Sequence, residues 1–191
     1  MAYEMSMSTA LRRPDLRARL REGSVVGTFQ LMVSPAVTEL LSLAGAQVIC
    51  LDAEHAAFDL STLEQHVRAG EVDGGCVIIR VPSTGAYLPR SLDLGAAGVV
   101  VPRLESGEAV AQVVQEVRFP PLGQRGIGAA RAARFGLSIT EYLAVANEDL
   151  LLVVMIETAA GLANLEEIVA VDGVDVVMVG PTDLASSLGV E

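Results

Sequence analysis

Leu150-Leu151-Leu152-Val153-Val154-Met155-Ile156-Glu157 and Asp175-Val176-Val177-Met178-Val179-Gly180-Pro181-Thr182-Asp183 decide the fold. Each is an unbroken apolar run that ends on a carboxylate, and a helical segment lies between them. Apolar runs without alternation mark parallel strands covered on both faces. Similar runs at residues 25–30, 48–52, 77–81 and 98–101 bring the expected strands to six, with the last two at 151–157 and 175–179. Strand alternating with helix predicts an α/β fold with right-handed crossovers.

Helix starts are legible. Ser34-Pro35 offers an N-cap followed by proline at the first helical position. Ser61-Thr62-Leu63-Glu64 fits a capping box. Ser106 is expected to open a helix reaching Arg118, and Asn164 to cap one running to Val169. Between Val101 and Leu151 the rhythm breaks. A helix, then Phe119-Pro120-Pro121-Leu122-Gly123-Gln124-Arg125-Gly126-Ile127-Gly128, then more helix fill the interval. We expect this excursion at the carboxyl face, as one wall of the site or as a subunit contact.

An eight-stranded barrel needs about 250 residues. The 191 residues here predict either a six-strand open sheet or, the reading we favour, about six of the eight β/α units of a (β/α)8 barrel. Residues 1–23 are expected to be an N-terminal helical segment and 24–191 the barrel domain, expected to be C-terminally incomplete. Leu11, Leu16 and Leu20 would give that first segment an amphipathic surface helix.

Composition narrows the function. A formal charge of −11 argues against nucleic acid and anionic membranes as partners. No window approaches a transmembrane span. Cys50 and Cys76 lie in expected strands without metal or redox spacing, so they read as buried thiols in a reducing cytoplasm. All 13 basic residues are arginine. A lysine Schiff base, and pyridoxal phosphate with it, is therefore excluded for this sequence.

The chemistry sits at strand ends. Glu157 and Asp183 would point into one crevice and offer hard oxygen ligands to a divalent cation. The alternative is a helix cap for one and an arginine partner for the other. Arg80 ends the third strand, either to stabilise a developing oxyanion or to pair with Glu54 or Asp52. His55, in Leu51-Asp52-Ala53-Glu54-His55, is the candidate general base, against a satisfied loop histidine. His66 reads as solvent-facing. Arg125-Gly126-Ile127-Gly128 reads as a flexible loop before an anion cradle.

Taken together in this order, several stretches resemble the HpcH/HpaI aldolases of the phosphoenolpyruvate/pyruvate barrel superfamily. They are Leu51-Asp52-Ala53-Glu54-His55, Arg80-Val81-Pro82, Leu92-Asp93-Leu94-Gly95-Ala96, Val100-Val101-Pro102, Arg118 through Gly126, Ile156-Glu157-Thr158 and Val179 through Leu184. The resemblance implies a lyase that reversibly cleaves a 4-hydroxy-2-oxo acid to pyruvate and an aldehyde through a metal-stabilised pyruvate enolate. It implies Glu157 and Asp183 as ligands of Mg2+, Mn2+ or Co2+. It implies that the Thr182 and Asp183 N–H groups hold the substrate carboxylate and that Arg80 faces the enolate oxygen. His55 would move the proton, supported by Asp93. Asp93 falls late in its helix, at the far end of the barrel, so a neighbouring chain would supply it. That implies a homo-oligomer, a hexamer in the family. One departure is Met155, standing where the family carries a substrate-contacting glutamine. Two alternatives are a citryl- or malyl-CoA-type lyase and a truncated, non-catalytic homologue.

Overall fold

The computed structural model describes residues 15–190. In chain order the elements are α1 (Leu16–Glu22), β1 (Gly27–Gln30), α2 (Pro35–Leu43), β2 (Val48–Asp52), α3 (Leu60–Gly70), β3 (Cys76–Arg80), α4 (Tyr87–Asp93) and β4 (Gly98–Val101). There follow α5 (Gly107–Val117), a 3-10 segment (Arg131–Gly136), α6 (Ile139–Asp149), β5 (Leu151–Ile156), α7 (Ala159–Ala163), α8 (Leu165–Val169), β6 (Val176–Val179) and α9 (Pro181–Leu188). All six expected strands form, each within two residues of its expected bounds.

The sheet is wholly parallel, in the order β1-β2-β3-β4-β5-β6. A doubly wound sheet would reverse its strand order partway. Here the order never reverses, so crossovers of one hand put the crossover helices on one face and the sheet curls as part of a (β/α)8 barrel. Side-chain alternation then separates two cores. Ile49, Leu51, Val77, Ile79, Val99, Val101, Leu152 and Val154 pack outward against Leu63 and Val67 of α3, Leu88 and Leu92 of α4, and Val110 and Val114 of α5. Cys50, Cys76, Ile78, Val100, Leu151, Val153 and Met155 fill the concave face.

Leu16 of α1 joins that inner cluster and is 2% exposed, whereas Leu20 is 38% exposed. The first helix therefore seals the amino end of the barrel instead of lying on its surface. Arg17 fixes it there, donating to the Asn147 and Glu148 carbonyls and pairing with Asp175. Leu11 lies outside the described residues.

Three local expectations are corrected. The capping box of α3 is built by Asp59 and Thr62, two residues upstream of the one expected, because Asp59 Oδ1 accepts the Thr62 N–H at 2.7 Å. Asn164 caps nothing with its side chain, which donates to the Glu105 carbonyl instead. The excursion after β4 lies at the amino end, not at the carboxyl face. Helix α5 carries the chain down to that end and β5 must start from it, so the intervening residues stay there. Arg131 holds the 3-10 segment to the Leu94 carbonyl and pairs with Glu71, beyond the ends of α4 and α3. Arg118 anchors the same end, donating to the carbonyls of Asn147, Leu150 and Gly173 and to Asp175. Ser106 caps α5 as expected, accepting from the Ala109 N–H.

Candidate active site at the carboxyl ends of the strands

The strand period of two continues past each strand end and decides which side chains face inward. Asp52 follows Cys50, Arg80 follows Ile78, Glu157 follows Met155 and Gly180 follows Met178, so all four positions share the concave face. Asp52 and Arg80 are register partners across β2 and β3. That pairing makes their contact bidentate: Arg80 Nε donates to Asp52 Oδ1 at 2.9 Å and Nη2 to Oδ2 at 2.6 Å. Glu54 Oε2 lies 3.4 Å from Arg80 Nε and 3.6 Å from His55 Nε2. The Arg80 guanidinium also lies over the Phe29 ring, 5.2 Å from its centroid. Arg80 thus pairs with both Asp52 and Glu54, while its side chain keeps 13% of its surface open to the mouth.

Electrostatics divides the two acids. Burial would raise the Asp52 pKa, but the Arg80 hydrogen bonds and the His55 and Glu54 N–H groups bring it below the ordinary value. Glu54 goes the other way: burial raises it, Arg80 and His55 offset part of that, and the charge of Glu157 raises it further. The Glu54 and Glu157 carboxylates are thus near enough to repel. His55 is held by its backbone to Asp52 Oδ1, and its ring is 59% exposed.

Glu157 is 4% exposed. Its Oε1 accepts the Arg103 N–H at 2.8 Å. Its Oε2 has no hydrogen-bond partner among the described residues and lies against Gly180, where an added Cβ would come within 2.9 Å. A Cβ there would come equally close to the Glu157 Cβ, so a glycine fits this contact without a shift. Gly180 is bonded to β5 through its N–H to the Ile156 carbonyl, and Pro181 at once opens α9. Thr182 and Asp183 are the next two residues, in the first turn, where helix N–H groups lack intrahelical acceptors. Asp183 is exposed, and its carboxylate has no hydrogen-bond or ion-pair partner among the described residues. Among the described residues neither carboxylate pairs with an arginine side chain or caps a helix with its own side chain.

These donors fit a hard divalent cation. Two carboxylates with free oxygens stand at the ends of adjacent, hydrogen-bonded strands. Among the described residues no three histidine, cysteine or acidic side chains gather into a metal cluster, so substrate and water would complete the coordination. Met155, one inward position before Glu157, is buried and apolar.

The other expected residues lie elsewhere. Asp93 ends α4 at the amino end of the barrel, where Arg125 Nη2 donates to its Oδ1 at 2.6 Å. Arg125 is buried and stacks on Phe119, so the Arg125-Gly126-Ile127-Gly128 stretch is anchored at its first residue, with Gly126 and Ile127 exposed. His66, expected in solvent, is fully buried. Its Nδ1 lies 2.7 Å from the Thr62 carbonyl and its ring meets Phe58 edge-on, because the α3 face bearing Leu63 and Val67 turns it inward. Cys50 and Cys76 are buried free thiols, and burial pushes Cys50 up to about 12. The Arg103 contact to Glu157 was not legible in sequence, since a backbone N–H leaves no residue-type signal.

A cavity of about 560 Å³ lies at the amino end between α3, the 3-10 segment and α6, away from the strand-end acids. Another, of about 380 Å³, opens beside the mouth at Glu54.

The chain resembles several known proteins. The family model described as HpcH/HpaI aldolase/citrate lyase matches residues 26–191. A 5-keto-4-deoxy-D-glucarate aldolase of Salmonella paratyphi A is 35% identical over 185 residues, covering 96% of this chain and 72% of that one. The crystal structure of an HpcH/HpaI aldolase/citrate lyase family protein from Burkholderia cenocepacia J2315 superposes with a TM-score of 0.86 at 36% identity, over 91% of this chain and 71% of that one. An HpcH/HpaI aldolase from Desulfitobacterium hafniense DCB-2 gives 0.85 at 32% identity, over 92% and 69%. The chain belongs to the HpcH/HpaI aldolase/citrate lyase family, and is a carbon–carbon lyase of the metal-dependent aldolase type that acts on small molecules.

Proposed function

We propose that this chain reversibly cleaves a 4-hydroxy-2-oxo acid to pyruvate and an aldehyde. The observation that carries the reading is the pair of acids Glu157, just past β5, and Asp183, in the first turn of α9 after the neighbouring β6, each with a carboxylate oxygen unpartnered among the described residues, in a sequence without lysine. Glu157 and Asp183 would hold a divalent cation, Mg2+, Mn2+ or Co2+. When bound, it supplies Lewis-acid stabilisation of charge on the 2-oxo group.

The residues divide the remaining work. The N–H groups of Thr182 and Asp183 at the start of α9 hold the substrate carboxylate. His55 takes the proton of the C4 hydroxyl. The C3–C4 bond breaks, its electron pair moves toward the 2-oxo oxygen, and the aldehyde leaves. Arg80 faces that oxygen as charge develops, oriented by its two bonds to Asp52. Return of a proton to C3 completes pyruvate. Asp93 of a neighbouring chain supports His55, which makes the active unit a homo-oligomer, a hexamer on the family pattern. Its side chain is 31% exposed despite the Arg125 contact, leaving an edge for such a neighbour. A citryl- or malyl-CoA-type activity would need a basic surface for a nucleotide, and the described mouth carries only Arg80, already paired, and Arg103.

Pyruvate α-proton exchange in D2O, followed by NMR, tests the reading. With Mn2+ or Mg2+ the folded protein should exchange, and excess EDTA should stop it. Equal exchange in chelator would remove the cation from the mechanism, and no exchange by folded, metal-loaded protein would remove the aldolase.

A further inference from the structure

The reaction as proposed gives Met155 no part. Below Asp52, Arg80 and Glu157 the inward strand positions are apolar, Cys50, Ile78, Val100, Val153 and Met155 among them. Met155 is 4% exposed, and Met178 is its register partner on β6. A Cβ built on Gly180 would lie 2.9 Å from Glu157 Oε2 and 3.3 Å from Met155 Cε. The methyl end of Met155 and the unpartnered oxygen of Glu157 therefore flank the same point. Met155 thus reaches from the inner cluster to the base of the candidate cation site. A thioether donates no hydrogen bond and accepts only weakly. Its side chain is unbranched and rotates freely, so it yields to added bulk. Elsewhere in that cluster Cys50 stays an uncharged thiol, because burial pushes it up to about 12.

We propose that Met155 is the floor of the donor pocket and selects for an alkyl group on C3 of the 2-oxo acid. The donors then include 2-oxobutanoate beside pyruvate, and 3-hydroxypyruvate is disfavoured. This deepens the aldol reading and rests on it. Three groups leave C2 of the bound acid. The carboxylate lies at the start of α9, the oxygen faces the cation and Arg80, and C3 takes the remaining direction. The aldehyde reaches one face of C3 from the mouth, so a further group on C3 has the inward side chains as neighbours. Among these the Met155 methyl is the one that extends to Gly180 beside Glu157. A methyl group on C3 leaves water for that contact and gains by burial. A hydroxyl of the same size would lose its water partners and gain none of equal strength from a thioether. Glu157 Oε2 cannot serve it, being committed to the cation.

The test follows exchange of C3 hydrogens in D2O by NMR, with Mg2+ and pyruvate, 2-oxobutanoate or 3-hydroxypyruvate. In each, a C3 proton leaves and a deuteron from solvent returns; rates without protein are subtracted. Wild type should favour 2-oxobutanoate over 3-hydroxypyruvate in kcat/KM by about 10- to 100-fold. Met155→Gln keeps the unbranched stem and adds a donor and an acceptor, and should cut that ratio by about tenfold. Met155→Ala lowers the floor, and should raise exchange of 2-oxopentanoate relative to pyruvate by about tenfold. A wild-type ratio near one, with pyruvate exchanging, would overturn the proposal and leave the aldol reading standing. A ratio that Met155→Gln leaves in place would do the same. Should Met155→Gln fail to fold, Met155→Ala decides, and an unmoved preference for pyruvate over 2-oxopentanoate overturns the proposal. Loss of pyruvate exchange in both folded variants would show that Met155 acts by holding Glu157, and would also overturn it. No exchange of any donor by wild type would sink the parent reading, and this one with it.

Discussion

Asp52 shows how one side chain can serve both the fold and the chemistry. It is 1% exposed, accepts both Arg80 bonds, and accepts the Glu54 and His55 N–H groups that shape the turn after β2. Its folded pKa lies below the ordinary carboxylate value, so its stabilising contribution is present above the ordinary pKa and is lost as pH falls through the lowered one. Glu54 has the opposite sign: its raised pKa favours the folded state at low pH, and that contribution fades as pH rises through the folded value. Arg80→Ala removes the cation from a buried acid. We expect a loss on the order of 2–3 kcal/mol near neutral pH, shrinking in acid as Asp52 gains a proton. Urea denaturation at pH 7 and pH 4 measures the difference. A loss of equal size at both would mean that Arg80 stabilises by packing on Phe29 and not by charge.

At the scale of elements, close pairing of strands accounts for a glycine that the apolar pattern does not explain. Gly98 opens β4 opposite Leu151. A Cβ there would lie 2.3 Å from the Leu151 carbonyl oxygen and 2.8 Å from its Cβ. Backbone cannot yield as a long side chain can, so Gly98→Ala must part β4 from β5. The cost should be roughly 2–3 kcal/mol, within the range for overpacked cores, and show as a lowered midpoint in thermal or urea unfolding. Unchanged stability would mean that the two strands are less tightly held than their register implies. Strand existence and order were legible because buried parallel strands need unbroken apolar runs. The true capping box was not, since Ser61-Thr62 and Asp59 offer competing caps within three residues and only the entry angle of the chain selects Asp59. His66 was misread for a similar reason: a lone histidine on a helix carries no sign of which face packs inward.

For the whole molecule, the curl of the sheet puts Asp93 and His55 at opposite ends of one chain. Asp93 sits with Arg125 at the amino end, and His55 stands at the mouth. If Asp93 supports His55, the two come from different copies. Mixing His55→Ala protein with Asp93→Asn protein should then regain pyruvate α-proton exchange that neither shows alone, because some mixed sites hold both native residues. Two inactive variants that stay inactive on mixing, while size-exclusion chromatography shows them assembled together, would exclude a shared site.

The sequence by itself determined the six strands, their parallel order, the carboxylates at their ends and the exclusion of lysine chemistry. These follow from short-range patterns, namely hydrophobic continuity, chain order and residue type. Only the tertiary structure decided that Arg80 pairs with both Asp52 and Glu54, that the excursion closes the amino end, that Arg103 turns its backbone to Glu157, and that Gly180 lies against Glu157 Oε2. Each depends on which residues the curled sheet sets side by side, and that is a property of register and closure that local sequence does not carry.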